Sequence, residues 1–185
     1  MIMNLKKLAI ATTLSVSPCA AFAAPTVTFQ GEVTDQTCAV SINGQTNSVV
    51  LLPTVSTADF GGSLANGQTA GLTPFTVTVS DCQAPSSDLD ITTKFLGYDV
   101  DASSGVLGNR ATSDAAVGYG IQLTASGDGT GAVTLSGPTS VSGLTLQTGE
   151  TSASHEFGAQ YYVIDASSAQ PGKITAVTEY TLSYF

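Results

Sequence analysis

Apolar and polar residues alternate along most of this chain, and a period of two predicts strands rather than helices. In "PFTVTVSDC" (residues 74–82), Phe75, Val77 and Val79 fall on one face. Glycine, aspartate, asparagine and serine separate the alternating segments, and no window sustains a helical period over three turns. The pattern therefore predicts an all-β protein built as a sandwich. Strands are predicted at 26–33, 48–52, 74–82, 89–96, 119–125, 132–137, 144–148 and 155–164.

The last ten residues, "AVTEYTLSYF" (176–185), alternate most regularly. Tyr180, Leu182 and Tyr184 fall on one face, and the polar residues at 179, 181 and 183 fall on the other. We expect an amphipathic final strand whose apolar face needs a partner, whereas most domains let their last residues fray.

The amino-terminal segment has the three parts of a secretory signal peptide. Lys6 and Lys7 form the basic part, residues 8–16 are mostly apolar, and Ala21-Phe22-Ala23 is a small-x-small cleavage site. We therefore predict a signal peptide at 1–23 and a single exported domain at 24–185. No later segment has the roughly twenty unbroken apolar residues of a membrane span, so membrane insertion is not expected.

The predicted mature chain is strongly acidic. All 14 Asp and Glu residues follow Ala24, whereas only Lys94, Arg110 and Lys173 remain as cations, which leaves a formal charge of −11. Such a surface repels nucleic acid and anionic membranes. The scarcity of charge leaves a mostly neutral polar surface, which suits packing against other protein.

Two cysteines follow the signal peptide, Cys38 and Cys82. An even pair in an exported chain is most simply a disulfide. A metal site is the alternative, but it would want more Cys or His ligands at short spacing. His155 is the only histidine of the chain, so we predict the disulfide and no metal.

No catalytic constellation is recognisable. His155 is the one imidazole base and lies in a strand-like segment, and no G-x-S-x-G motif occurs. The stretch "DVDASSG" (99–105) has some features of a calcium loop, but its glycine comes one place late and Arg110 stands where the closing glutamate belongs. We predict no enzyme activity and no cofactor, so that function should lie in surfaces and strand edges.

Three segments resemble the major pilin subunits of chaperone-usher (type 1-like) fimbriae of Gram-negative bacteria. They are "FQGEVTDQTCAV", "FTVTVSDC" and the ending "FGAQYYVIDASSAQPGKITAVTEYTLSYF". The most specific points are Tyr184 as penultimate residue and Gly172 as fourteenth from the end, counting Phe185 as one. Both match the carboxy-terminal chaperone-recognition pattern of that family.

The resemblance implies an incomplete immunoglobulin-like sandwich (the pilin fold) that lacks its seventh strand and is completed by a donated strand. Its carboxy-terminal segment, 172–185, would border the open acceptor groove. The expected groove and chaperone-contacting residues are Gly172, Tyr180, Leu182 and Tyr184.

The same resemblance makes residues 24–33 the donor segment or first strand, with Val27, Phe29 and Gly31 as donor residues. The implied partners are a periplasmic chaperone, an outer-membrane usher and neighbouring pilin subunits in a homopolymer. The implied route leads through the periplasm to a fimbria on the cell surface, where the fibre supports adhesion.

Two alternatives remain open at this point. Only Ala24 and Pro25 precede the alternating donor segment, a shorter extension than many family members carry, which allows a minor or terminating subunit. A free-standing secreted β-sandwich that binds a ligand is the other alternative. A sortase-linked pilin is not expected, because no LPxTG-like signal is found.

Overall fold

The structure is a computed structural model that describes residues 31, 33–36 and 38–184. Within that part of the chain, no helix is long and apolar enough to cross a membrane. The helical content described is one 3₁₀ turn, Thr57–Phe60. The strands are β1 (Ala39–Ile42), β2 (Thr69–Ser80), β3 (Leu89–Gly97), β4 (Tyr119–Thr124), β5 (Ala132–Val133), β6 (Thr139–Leu146), β7 (Ala153–Val163) and β8 (Thr178–Ser183).

The strands form two antiparallel sheets, and the all-β prediction is confirmed. One sheet has the order β1-β2-β7-β4-β5 and the other has the order β6-β3-β8. β8 pairs with β3 from Thr92↔Ser183 to Gly97↔Thr178. Among the described strands, β8 is thus an edge strand of the smaller sheet.

The core lies between the sheets and is rich in aromatic contacts. Phe75, Val77 and Val79 of β2 are buried, as their alternation predicts. The Phe157 ring lies 5.8 Å from that of Phe75 and 5.4 Å, edge-on, from that of Phe95, measured between centroids. Each such side chain contributes about 1.5–3 kcal/mol when fully buried, so these central strands hold the two sheets together.

The predicted disulfide is present between Cys38 and Cys82. Cys38 directly precedes β1, and Cys82 follows the end of β2, where Ala39 pairs with Ser80. The bond therefore fastens a short edge strand to the long strand beside it.

The predicted strand at 48–52 is wrong, although burial alternates along the segment. This segment pairs with none of the described strands. Val50 and Leu52 pack on the core, whereas Val49 and Leu51 are 75% and 83% exposed. Alternation reports which side chains are buried and not whether the backbone has a partner, and here burial occurs without a sheet ladder.

Other strand boundaries also differ from the prediction. β1 is not among the predicted strands, and β2 starts at Thr69 and not at residue 74. The segment 132–137 is reduced to the two residues of β5. The segment 144–148 is the second half of a longer strand, β6, which starts at Thr139. Gly143 has φ 142° inside β6, and the register with β3 shifts nearby, between Ile91 and Thr93. The bulge interrupts the alternation and hides the first half of the strand from a pattern of period two.

Candidate functional site

The two faces of β8 differ in exposure, as the alternation predicts, except at one residue. Tyr180, Leu182 and Tyr184 are half-buried and pack against the core, whereas Glu179 and Thr181 are exposed. The prediction is wrong for Ser183, which is only 4% exposed although the pattern puts it on the polar face. It pairs with Thr92 at the end of the β3–β8 ladder, where a small side chain is covered by its surroundings.

β8 has one strand neighbour in the described part of the chain. That neighbour is β3, and no described strand lies on the other side. An edge strand directs backbone N–H and C=O groups away from its only neighbour and can pair with an added strand. The half-buried apolar side chains of β8 would be covered further by such an addition.

A cavity of about 580 Å³ lies close to the segment that leads into β8. Its apolar walls are formed by Val55, Phe60, Tyr119, Tyr161 and Ile174. The Oη hydroxyl of Tyr161 donates a hydrogen bond to the Pro53 carbonyl at 3.1 Å, and burial raises the pKa of Tyr161. The segment around residue 55 and residues 171–174, which precede β8, therefore line the same cavity.

Tyr119 leaves a polar atom buried beside this cavity. Its side chain is 6% exposed, and its Oη makes no hydrogen bond to any other part of the chain that the structure describes. A buried hydroxyl without a partner costs about 1–3 kcal/mol. The cavity thus has apolar walls, polar side chains at Thr54, Ser56, Thr57 and Lys173, and one buried hydroxyl beside it without a partner among the described residues.

A second cavity, of about 360 Å³, borders the other end of β8. Tyr184 lines it together with Thr34, Asp35 and Gln36, and with residues 83–87 of the loop between β2 and β3. The two cavities thus involve the chain just before β8 and just after it.

Gly172 lines the first cavity, and the structure gives a steric reason for a glycine at this position. A Cβ built there would lie 2.5 Å from both the Ala116 nitrogen and the Asp114 carbonyl oxygen. Lys173 N donates to Asp114 O at 2.7 Å, and Ala116 N donates to Lys173 O at 2.9 Å. These backbone atoms have no room to yield, so any side chain at 172 would displace the loop that borders the first cavity.

The predicted donor residues are only partly within the structure. Val27 and Phe29 lie outside the described residues, as do the predicted signal peptide and Phe185, and the donor assignment stays a prediction. Gly31 is described and exposed. Val33, which follows on the same face of the alternating segment, is 96% exposed. An apolar side chain this exposed is a candidate for contact with another molecule.

The residues considered for catalysis or metal binding have local structural partners. His155 is half-buried in β7, with Nε2 at 2.7 Å from the Ala125 carbonyl oxygen and its ring edge-on to Phe157. The Asp101 carboxylate accepts hydrogen bonds from Ser104 and Ser103, which lower the pKa of Asp101 to about 2. Nowhere in the described ranges do three His, Cys, Asp or Glu side chains gather as a metal site.

Sequence reasoning missed the contribution of residues 48–57 to this region. Val50 and Leu52 pack on the core, and residues 54–57 line the first cavity. The continuous apolar run at 49–52 is the signal that the sequence offers, but by itself it predicts a paired strand.

Comparisons with known proteins agree on one family. The model of the fimbrial protein family matches residues 27–184. The major fimbrial subunit SMF-1 of Stenotrophomonas maltophilia is 35% identical and covers 92% of this chain and 99% of that protein. The type-1 fimbrial protein A chain of Escherichia coli K12 is 34% identical, and the match covers 98% of this chain and 100% of that protein. The P pilus rod subunit PapA shares the fold, with a TM-score of 0.58 at 15% identity, over 80% of this chain and 99% of that chain.

Proposed function

This chain belongs to the fimbrial protein family, as a structural pilin subunit of chaperone-usher fimbriae and not an enzyme, and we propose that it polymerises through a strand added beside β8. Its sandwich is an incomplete immunoglobulin-like fold, and it assembles with other pilin subunits in a surface fimbria.

The edge position of β8 is the observation that carries the proposal. Tyr180 and Leu182 are half-buried against the core, and no other strand in the described ranges flanks β8 on its outer side. A strand from a neighbouring subunit would continue the β6-β3-β8 sheet and cover these side chains. Each donor side chain that becomes fully buried contributes about 1.5–3 kcal/mol, so a few such residues make a durable junction.

The donor in this proposal is the segment 24–33, with Val27, Phe29 and Gly31 directed into the groove. The exposure of Gly31 and the 96% exposure of Val33 support a segment that is available to another subunit. Donor and groove are different surfaces of one chain, so the contact is head-to-tail and does not close on itself. Repetition of this contact produces a fibre.

The same edge strand explains why a chaperone and an usher are proposed as partners. An unfilled edge with apolar side chains would aggregate, so a periplasmic chaperone is expected to cover β8 after export directed by residues 1–23. The groove segment 172–185, with Gly172 and Tyr184, is its proposed contact. The donor segment of the next subunit then replaces the chaperone at an outer-membrane usher.

Phe29→Asp tests the donor assignment, with Thr28→Asp as the matched control on the opposite face of the same segment. Phe29→Asp should leave the chaperone-bound subunit folded but block polymerisation, because burial of the new carboxylate costs several kcal/mol. Thr28→Asp should still polymerise. Soluble chaperone complex is measured by co-purification, and polymer by gel ladders that persist without heating.

The outcome that contradicts the donor assignment is loss of both complex and polymer in Phe29→Asp. That result would place Phe29 in the core of its own subunit, where a buried charge destabilises the fold itself.

A further inference from the structure

The segment 48–52 presents two apolar side chains to solvent while it is held on the core. Val49 is 75% exposed and Leu51 is 83% exposed, whereas the other exposed large apolar residues, apart from Val33, range from 37% to 45%. Their neighbours Val50 and Leu52 pack against the core. Val49 and Leu51 therefore belong to an anchored segment and not to a free tail, which reduces the entropy lost when they are covered.

The charge distribution favours another copy of this chain as the partner. Copies of a chain with a formal mature charge of −11 repel one another across most of their surfaces. From Gln36 to Ala58 the sequence carries no charged side chain. A contact through this tract buries no charged side chain of the tract. It also brings no charge of the tract close to a charge of the partner.

The position of the segment also links it to the polymerisation site. Residues 54–57, which follow it directly, line the cavity beside the approach to β8. Val49 and Leu51, however, lie on the opposite side of the segment from the core-facing Val50 and Leu52. A strand that fills the groove would leave them uncovered, so their partner is a different copy.

We propose that Val49 and Leu51 form a lateral contact with another copy of this chain in the same fibre, separate from the copy that donates its strand. This inference rests on the proposed function, because it requires the chain to polymerise. Within a fibre the local concentration of copies is high, so a small apolar patch is sufficient for such a contact.

Leu51→Cys tests the contact through the reactivity of a single thiol. Because Cys38 and Cys82 are bonded to each other, the new cysteine is the reactive thiol of the mature subunit. Its rate of reaction with a water-soluble maleimide is compared between the chaperone-bound subunit and the assembled fibre. Val117→Cys, at a residue that is 45% exposed in the loop before β4, is the control.

The cysteine at 51 should react at least about tenfold more slowly in the fibre, because a covered thiol reacts only when the contact opens. The cysteine at 117 should change by less than about twofold. As a second measurement, the double variant Val49→Ser with Leu51→Ser should form polymers of normal length whose packing, seen by electron microscopy, is looser.

Three results would overturn the lateral contact. Equal reactivity at 51 in subunit and fibre would mean that nothing covers the patch, and protection already in the chaperone complex would identify a different partner. Normal packing of the double-serine fibre would show that the patch is not needed. By contrast, a wild-type chain that forms no polymer at all would refute the proposed function as well, and the two failures are therefore distinguishable.

Discussion

Substitution of Leu182 by aspartate should show that the two faces of β8 tolerate a charge differently. Leu182 is half-buried on the core-facing side, opposite Thr93 of β3, whereas its neighbour Thr181 is exposed opposite Lys94. Leu182→Asp and Thr181→Asp therefore add the same charge to the same strand, one residue apart, on opposite faces. We expect only the first to disrupt the subunit and its fibre.

The magnitude follows from the surroundings of each side chain. Half of a leucine's burial is worth about 1 kcal/mol, and partial desolvation of a carboxylate costs several kcal/mol. The Thr93 hydroxyl is buried and has no hydrogen-bond partner among the described residues, so its donation to the new carboxylate returns about 1–3 kcal/mol. Leu182→Asp should therefore lower the free energy of unfolding of the subunit by about 3 kcal/mol, which corresponds to about 100-fold in the equilibrium between folded and unfolded subunit.

The control should behave differently for an equally specific reason. A carboxylate at 181 would stand opposite Lys94, and an opposite-charge cross-strand pair contributes about 0.2–1 kcal/mol in favour of the sheet. Thr181→Asp should therefore match or slightly exceed the wild-type chain in stability.

The assay is a guanidinium titration of assembled fibres, with dissociation followed by gel ladders, together with the yield of soluble subunit from the periplasm. Leu182→Asp should give little polymer and a lower midpoint, and the uncharged Leu182→Asn should fall between it and the wild-type chain. Equal midpoints for the two aspartate variants would refute the reasoning, because they would mean that the face of β8 on which a charge lies has no effect.

Three further predictions follow from other contacts. Cys82→Ala should lower the free energy of unfolding by about 4 kcal/mol in the chain-entropy model for a sequence separation of 44 residues, and a wild-type denaturant curve unchanged by reductant would contradict this. Gly172→Ala should destabilise the subunit by about 1–3 kcal/mol through overpacking, whereas Gly62→Ala, at a site with no atom within 4 Å, should have no such effect; equal denaturation midpoints would argue against the steric role. The folded-state pKa of Asp101, about 2, is lower than its ordinary value of 3.8, so its contribution to stability is present above about pH 4 and is lost as the pH falls towards 2; Asp101→Asn should flatten that part of the acid unfolding curve, and an unchanged slope would count against it.

Local patterns in the sequence were sufficient for the fold class and for most side-chain orientations. The burial of Phe75 and Val77 and the half-burial of Leu182 follow from a period of two, which is a property of each strand alone. The disulfide followed from the pairing of two cysteines in an exported chain. These features could be predicted because each depends on residue type and spacing and on no distant neighbour.

Other features were decided by contacts between residues far apart in the chain. The apolar run at 49–52 predicts a paired strand, yet only the folded chain shows that this segment has no partner among the described strands and leaves Leu51 exposed. Gly172 was recognised by a family pattern, but its steric reason is the backbone of Asp114 and Ala116 against it. Which backbone lies beside which is set by the packing of whole sheets, and this packing made β8 an edge strand.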